Sequence, residues 1–277
     1  VTRSLLREAA DRLAAQGVSS PDVDALALLE HVWDVPDVRA ALVLGRAPSP
    51  QVAERFEELV ALRAERVPLQ HLTGVAHFRG LTLKVGPGVF VPRPETESIV
   101  DLVLAVLPDG GRVVDLGTGS GAIALALAVE RPDAFVGAVE VSEHAHAWAL
   151  LNRDALAPTV DLRLGDARAA FPELDGEIDV VVSNPPYIPA GMVPVDPEVR
   201  DHDPDVALYG GSADGLRIPL EVAARASALL RPGGTLVMEH AETQGDSLPA
   251  ALARAGWTEP YDVPDLTGRP RFAIARR

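Results

Sequence analysis

The chain has 277 residues, 47% of them hydrophobic, no cysteine and a formal net charge of −15. Its length and apolar content suit one large domain or two smaller ones and argue against disorder. The lack of cysteine excludes disulfides, thiolate metal sites and cysteine nucleophiles, and the acidic balance counts against nucleic acid as the primary partner. No apolar run reaches the roughly 18 residues of a membrane span. The stretch from Val1 to Leu6 soon meets Glu8 and Asp11 and has no signal-peptide core. The expectation is a cytoplasmic protein with no membrane association and no metal site.

Residues 1–73 read as a helical bundle. Leu5, Leu6, Ala9 and Leu13 form a helical stripe that stops near Gly17. Ser20-Pro21-Asp22 is a helix start with Ser20 as N-cap, and Ser49-Pro50 repeats the signal ahead of Val52, Phe56, Leu59, Val60 and Arg63. His31 and Trp33 read as packing or surface residues. With no catalytic constellation here, the bundle is expected to dock a partner or cover a site.

Residues 74–94 read as a linker built on a β-hairpin. Two short strands between Val75 and Val85 turn at Arg79-Gly80, and Gly86-Pro87-Gly88 ends them. The proline-stiffened Val91-Pro92-Arg93-Pro94-Glu95-Thr96-Glu97 leads into an apolar helix from Ile99 to Leu107. Glu95 and Glu97 at its start complement the helix dipole.

Residues 95–277 carry the more specific signals. Arg112–Leu116 is a buried strand, Gly117-Thr118-Gly119-Ser120-Gly121 a glycine turn, and Ala122–Val129 a helix. Strand, glycine turn and helix form the first unit of a doubly wound α/β domain. The spacing is G-x-G-x-G after Asp115, not the G-x-G-x-x-G of dinucleotide binders. Glu140 ends the next apolar run, 23 residues after Gly117, where an acid can accept the hydroxyls of a ribose. A third strand, Val160–Leu164, ends in Gly165-Asp166, and a carboxylate there can accept a hydrogen bond from an adenine amino group. A fourth, Ile178–Ser183, runs into Asn184-Pro185-Pro186-Tyr187, a stiff loop that displays an amide side chain. The irregular stretch Ile188–Gly211 is expected to lie over the resulting crevice. A helix to about Leu230, a turn at Arg231-Pro232-Gly233-Gly234, a strand over Thr235–His240, a helix over Thr243–Ala255 and a final strand pair complete the chain. His240 reads as a wall or solvent residue.

Taken together, D-L-G-T-G-S-G, Glu140, Asp166 and N-P-P-Y resemble the class I S-adenosylmethionine-dependent methyltransferases, within them the group that methylates planar nitrogens. F-V-P-R-P-E-T-E from Phe90, V-S-N-P-P-Y-I from Val182, G-x-x-D-G-L around Gly215, R-P-G-G at 231 and D-L-x-G-R-x-R ending near Arg271 are similar to the HemK-type protein-glutamine N5-methyltransferases. These modify the Gln of the Gly-Gly-Gln motif in peptide-chain release factors. The resemblance spans nearly the whole chain. It implies a Rossmann-like class I methyltransferase sheet with a small all-α N-terminal domain, S-adenosyl-L-methionine as cofactor, a release factor as protein substrate and a monomeric enzyme. It further implies a cofactor site of Asp115, Gly117, Thr118, Gly119, Ser120, Gly121, Glu140, Asp166, Ala167 and Asn184. Asn184, Pro185 and Tyr187 are the implied catalytic residues, and Pro186, Arg93 and Glu95 join them as substrate-binding residues. Ala167 stands where a bulky aromatic can occur in such enzymes.

These residue types suit amide methylation. The nitrogen is a poor nucleophile because its lone pair is delocalised, so orientation and preorganised acceptors carry the catalysis. Three rival readings remain on the sequence alone. One is a methyltransferase for an exocyclic amine of DNA or RNA bases, the second a nicotinamide-dependent oxidoreductase, and the third a non-catalytic cofactor-binding protein.

Overall fold

The computed structural model describes residues 2–277, so the reading that begins at Val1 falls partly outside it. The chain divides into two compact units. One comprises the residues up to Val75 together with Pro194–His202, and the other comprises Ala76–Val193 and Asp203–Arg277.

The first unit is helical: α1 (Thr2–Ala15), α2 (Pro21–Val32), α3 (Val38–Val43), α4 (Pro50–Ala64) and α5 (Leu69–Thr73). Leu13, Leu28, Leu29, Phe56, Leu59 and Val60 fill its core, and Trp33 packs with them, whereas His31 is exposed. Ser49 caps α4 by accepting a hydrogen bond from the Val52 N–H at 3.3 Å. Ser20 does not perform the capping expected of it: its side chain makes no cap bond, and α2 relies on Pro21 at its first turn.

The second unit opens with the hairpin of β1 (Val75–Phe78) and β2 (Leu81–Lys84). This stretch was expected to be a linker, yet Ala76, Phe78, Leu83, Val85, Val89 and Val91 are buried in the same cluster as the central sheet. There follow α6 (Glu97–Leu104), β3 (Arg112–Leu116), α7 (Ala122–Glu130), β4 (Phe135–Glu140), α8 (Glu143–Leu156), β5 (Asp161–Leu164) and β6 (Ile178–Ser183). The stretch expected to be irregular, 188–211, contains two short helices, α9 (Pro197–His202) in the helical unit and α10 (Asp205–Leu208) in the larger one. The chain closes with α11 (Arg217–Leu229), β7 (Leu230–Glu239), α12 (Ser247–Arg254), β8 (Thr258–Pro264) and β9 (Pro270–Arg276). Arg231–Gly234, expected as a turn, lies within β7, and the pairing absorbs it as a register shift between Ile178 and Val180.

The seven strands lie in the order β5-β4-β3-β6-β7-β9-β8. Pairing is parallel from β5 through to β7 and antiparallel for β7–β9 and β9–β8. Alternation along the strands separates two cores. Val113, Val180, Val182 and Val237 pack with α6, α7 and the hairpin, while Val114, Val181, Leu236 and Met238 pack with α11 and α12. The chain runs outward from β3 to β5 and then returns to the other side of β3 as β6. The ends of β3 and β6 therefore flank the topological switch point, where open α/β sheets bind ligands. Among the described residues, no helix is long and apolar enough to cross a membrane.

Candidate active site

Asp115 is fully buried near the end of β3. Its Oδ2 accepts a hydrogen bond from Thr118 Oγ1 at 2.6 Å, while Oδ1 has no hydrogen-bond partner. Burial pushes its carboxyl up to about 7. The turn after it is held by the Gly117 and Thr118 N–H groups, which both donate to the Val139 carbonyl at 3.0 and 2.9 Å. Gly117 and Gly119 have φ of +83° and +60°, and a Cβ at either would point into open space. Their backbone is thus bare to a ligand lying along the turn.

Glu140 closes this cradle from the end of β4. Its Oε2 accepts from the Gly119 N–H and its Oε1 from the Ser142 N–H, both at 2.8 Å. Burial raises its pKa, and these backbone donors oppose the rise. Each oxygen keeps a second lone pair for a hydroxyl. Asn152 of α8, which drew no attention in the sequence, braces the turn: its Nδ2 donates to the carbonyls of Ser120 and Lys84 at 3.0 and 2.9 Å.

Asp166 follows β5 and is engaged locally, accepting from the Arg168 backbone N–H at 2.9 Å and from its guanidinium. That guanidinium holds the Asp166 carboxyl below its usual range. Ala167 is half-buried and packs against the α11 side of the sheet.

Across the switch point, Ser183 Oγ donates to the Leu116 carbonyl and so ties the end of β6 to the end of β3. Asn184 is the next residue. Its Nδ2 lies 3.5 Å from the Oγ1 of Thr96, a buried residue just before α6. Pro185 is buried, and Pro186 and Tyr187 are half-buried. The Tyr187 hydroxyl points at Glu239 Oε1 at 3.5 Å, and burial together with the Glu239 charge pushes the phenol pKa up. Behind the loop, Gln244 Nε2 donates to the Tyr187 carbonyl at 3.0 Å and to the Asp214 carbonyl at 2.8 Å. The Gly215 backbone presses against the same carbonyl so closely that a Cβ would come within 2.1 Å of it. This gives the Gly215 motif its physical meaning.

Arg93 pairs with Asp203 at 2.6 Å and lies 4.9 Å over the Phe90 ring, while Glu95 is exposed. His240 is a buried wall residue whose Nε2 meets Asp262 Oδ1 at 2.9 Å. Thr96, Glu239 and Gln244 were not singled out in the sequence. Thr96 lay within the quoted F-V-P-R-P-E-T-E stretch, and Glu239 within the predicted strand over Thr235–His240.

Residues 4–74 match the family model described as the PrmC N-terminal domain, and residues 80–194 match the methyltransferase small domain. A release factor glutamine methyltransferase of Streptomyces coelicolor is 50% identical, with 98% of this chain and 96% of that protein covered. One from Mycolicibacterium smegmatis is 47% identical over 99% and 97%. Among solved structures, the T. thermophilus 16S rRNA N2 G1207 methyltransferase RsmC, in complex with AdoMet and guanosine, matches with a TM-score of 0.50. It is 25% identical and covers 73% of this chain and 49% of that one.

Proposed function

Because the chain belongs to the release factor glutamine methyltransferase family, we propose that it methylates the side-chain amide nitrogen of the Gln in the Gly-Gly-Gln motif of a peptide-chain release factor, tuning translation termination. S-adenosylmethionine is the methyl donor. The observation that carries the reading is the placement of two sets of groups at one switch point. A bare glycine turn with acids at its flank ends β3, and a rigid amide-bearing loop ends the adjacent β6.

The cradle fits the cofactor. The open space above Gly117 and Gly119, the spare lone pairs of Glu140 and the orphaned Asp115 Oδ1 are what a nucleoside with an amino-acid tail needs. In this reading Glu140 takes the ribose hydroxyls and Gly117 to Gly121 follow the tail. Asp166 meets the adenine amino group with capacity left by Arg168, and Ala167 lies against the ring. When bound, S-adenosylmethionine supplies an electrophilic methyl group, so that transfer forms an N–C bond as the S–C bond breaks and one amide proton is given up.

The remaining work falls to the Asn184 loop. Asn184 Oδ1 and the Pro185 carbonyl accept the two N–H bonds of the substrate amide and aim its nitrogen at the methyl group. They also stabilise the positive charge that develops on it. Pro186 holds these acceptors in place, and Tyr187 packs on the flat amide. Arg93 and Glu95 flank the substrate. No general base at the nitrogen is required, because the proton leaves after transfer.

The helical unit and the 188–211 stretch form the docking surface in this proposal, which places substrate docking at residues 1–73 and catalysis at 95–277, with the hairpin stretch 74–94 packed onto the catalytic sheet. Exposed Met192, Val193 and Val195 support it as apolar contacts. The net charge of −15 supports a protein rather than a nucleic acid as the substrate. The enzyme then acts as a cytoplasmic monomer, where release factors work. The deciding experiment is labelled methyl transfer to a release factor, wild type against Gln→Ala in its Gly-Gly-Gln motif. Labelling of the wild type alone is expected. Labelling of both, or of DNA or RNA instead, overturns the assignment.

A further inference from the structure

The Asn184–Tyr187 loop is fastened at both ends. At its start, Ser183 ties β6 to the Leu116 carbonyl. Pro185 and Pro186 then contribute no N–H, so the middle of the loop lacks two backbone donors with which to fasten itself. At its far end, the Tyr187 carbonyl accepts from Gln244 Nε2 at 3.0 Å. Gln244 lies in the short turn between β7 and α12, 57 positions from Tyr187.

The Gln244 amide is matched on both sides. The two hydrogens of Nε2 go to the Tyr187 carbonyl and to the Asp214 carbonyl at 2.8 Å, and Oε1 accepts from the Ala241 N–H at 3.0 Å. Carbonyls only accept and a backbone N–H only donates, so the amide fits one way round. Gln244 is 3% exposed, and burial shields these bonds from solvent. Its own N–H donates to the Ala241 carbonyl at 2.8 Å, and the His240 N–H before it donates to the Arg271 carbonyl at 3.0 Å. The clamp therefore stands on the sheet and reaches out to the loop. Gly215 closes in on the same carbonyl: a Cβ there would lie 2.1 Å from the Tyr187 oxygen and 2.9 Å from Gln244 Nε2.

We infer that Gln244 is a positioning residue for methyl transfer. By pinning the Tyr187 carbonyl it fixes the span in which Asn184 Oδ1 and the Pro185 carbonyl stand, and so sets the direction from which the substrate amide meets the methyl group. A reacting group misplaced by about 1 Å costs on the order of a hundredfold in rate. The cofactor cradle at Gly119, Ser120 and Glu140 is held by other bonds. Losing the clamp therefore slows transfer without loosening the cofactor. The inference rests on the glutamine methyltransferase reading above.

The test compares Gln244→Met, Gln244→Glu and Leu252→Ala in the full chain. Met matches Gln in length and has no donor. Glu keeps an oxygen for the Ala241 N–H and lacks both donors, so it carries the test if Gln244→Met does not fold. Leu252 is fully buried further along α12, and its truncation costs stability alone. Both Gln244 variants are expected to lower kcat on a release factor at least tenfold at a temperature where they are folded. Their cofactor Kd stays within about twofold of wild type, and Leu252→Ala keeps kcat within about twofold. A second readout needs no turnover. Tyr187-Ile188 is the one Tyr-Ile pair in the chain, so 13C-carbonyl tyrosine combined with 15N-isoleucine reports the Tyr187 carbonyl by itself. Its resonance should move upfield in both Gln244 variants as the hydrogen bond is lost. The chain has two asparagines, Asn152 and Asn184, so 15N-asparagine labelling gives two side-chain NH2 pairs. The Asn184 pair should shift as well, and the pair of Asn152, tied to Lys84 and Ser120, should stay in place. Unchanged kcat, cofactor Kd weakened as much as kcat falls, an equal loss in Leu252→Ala, an unmoved Asn184 pair or loss of the fold in both Gln244 variants overturns the inference. Failure of the wild type to methylate any release factor instead overturns the reading beneath it.

Discussion

Arg63 and Glu198 are 135 positions apart and meet at 2.8 Å inside the helical unit. Arg63 also holds Asp24 at 2.7 Å, and Arg66 grips Glu198 from its other side. Burial alone would raise the Glu198 carboxyl, but hydrogen bonds from Arg66, Asp196 and Arg63 outweigh it and hold the group well below the usual carboxylate range. The segment 194–202 is thereby pinned to α4. Removing one partner of a buried pair strands the other charge, at a cost of about 3–5 kcal/mol. Glu198→Ala should lower the denaturation midpoint accordingly and leave cofactor Kd unchanged. A loss under about 1 kcal/mol would show that the cluster is solvated.

Asn184→Ala removes one of the two acceptors assigned to the substrate amide. By the usual effect of losing one preorganised group, turnover at saturating cofactor should fall by about 10²–10³. Near-full turnover with cofactor bound would remove Asn184 from the mechanism.

Gly119 has φ +60°, and its N–H holds Glu140. Gly119→Ala puts a Cβ into the cradle and strains the backbone by about 1–2 kcal/mol. Calorimetry should show cofactor Kd weakened at least tenfold, with the substrate loop unaffected. An unchanged Kd would place the cofactor elsewhere.

Glu239 titrates near 4.3 in an unfolded chain, by about the usual value, and burial pushes it to about 7 in the fold. The Thr96 and Tyr187 hydroxyls and Arg271 oppose that rise, while Glu95 adds to it. The folded protein therefore keeps a proton that the unfolded chain releases. Stability from this group is complete below about pH 4 and is lost as pH rises through about 7. Glu239→Gln carries no such proton. Denaturation at several pH values should show it gaining about 3 kcal/mol on wild type between pH 4 and 8. A pH-independent difference would contradict the shift.

Val195 is 97% exposed on the segment pinned by Glu198. If this stretch docks the release factor, Val195→Asp should raise KM for the protein substrate several-fold and leave KM for the cofactor alone. Equal effects on both would remove this surface from docking.

Much of the second unit was legible from local order. Apolar runs predicted β3, β4, β6 and β7, and the residues at or just beyond their ends, Asp115, Gly117, Glu140 and Asn184, were predictable because strand ends in a doubly wound sheet gather at one edge. The resemblance across the motifs identified the chemistry. The hairpin was harder to read, because a proline-flanked pair of short strands looks like a linker until Phe78, Leu83 and Val85 are seen to be buried. What lies behind the site was decided only in three dimensions. Thr96, Gln244 and Glu239 sit on three separate elements, and no periodicity relates them to Asn184. Parallel pairing of Ser183 with Met238 sets Glu239 beside Asn184, and the close approach of Gly215 brings Gln244 to the Tyr187 carbonyl. A linear chain states which groups end its strands. Which lone pair faces which hydrogen depends on partners about 50 to 90 residues away, and the fold alone brings them together.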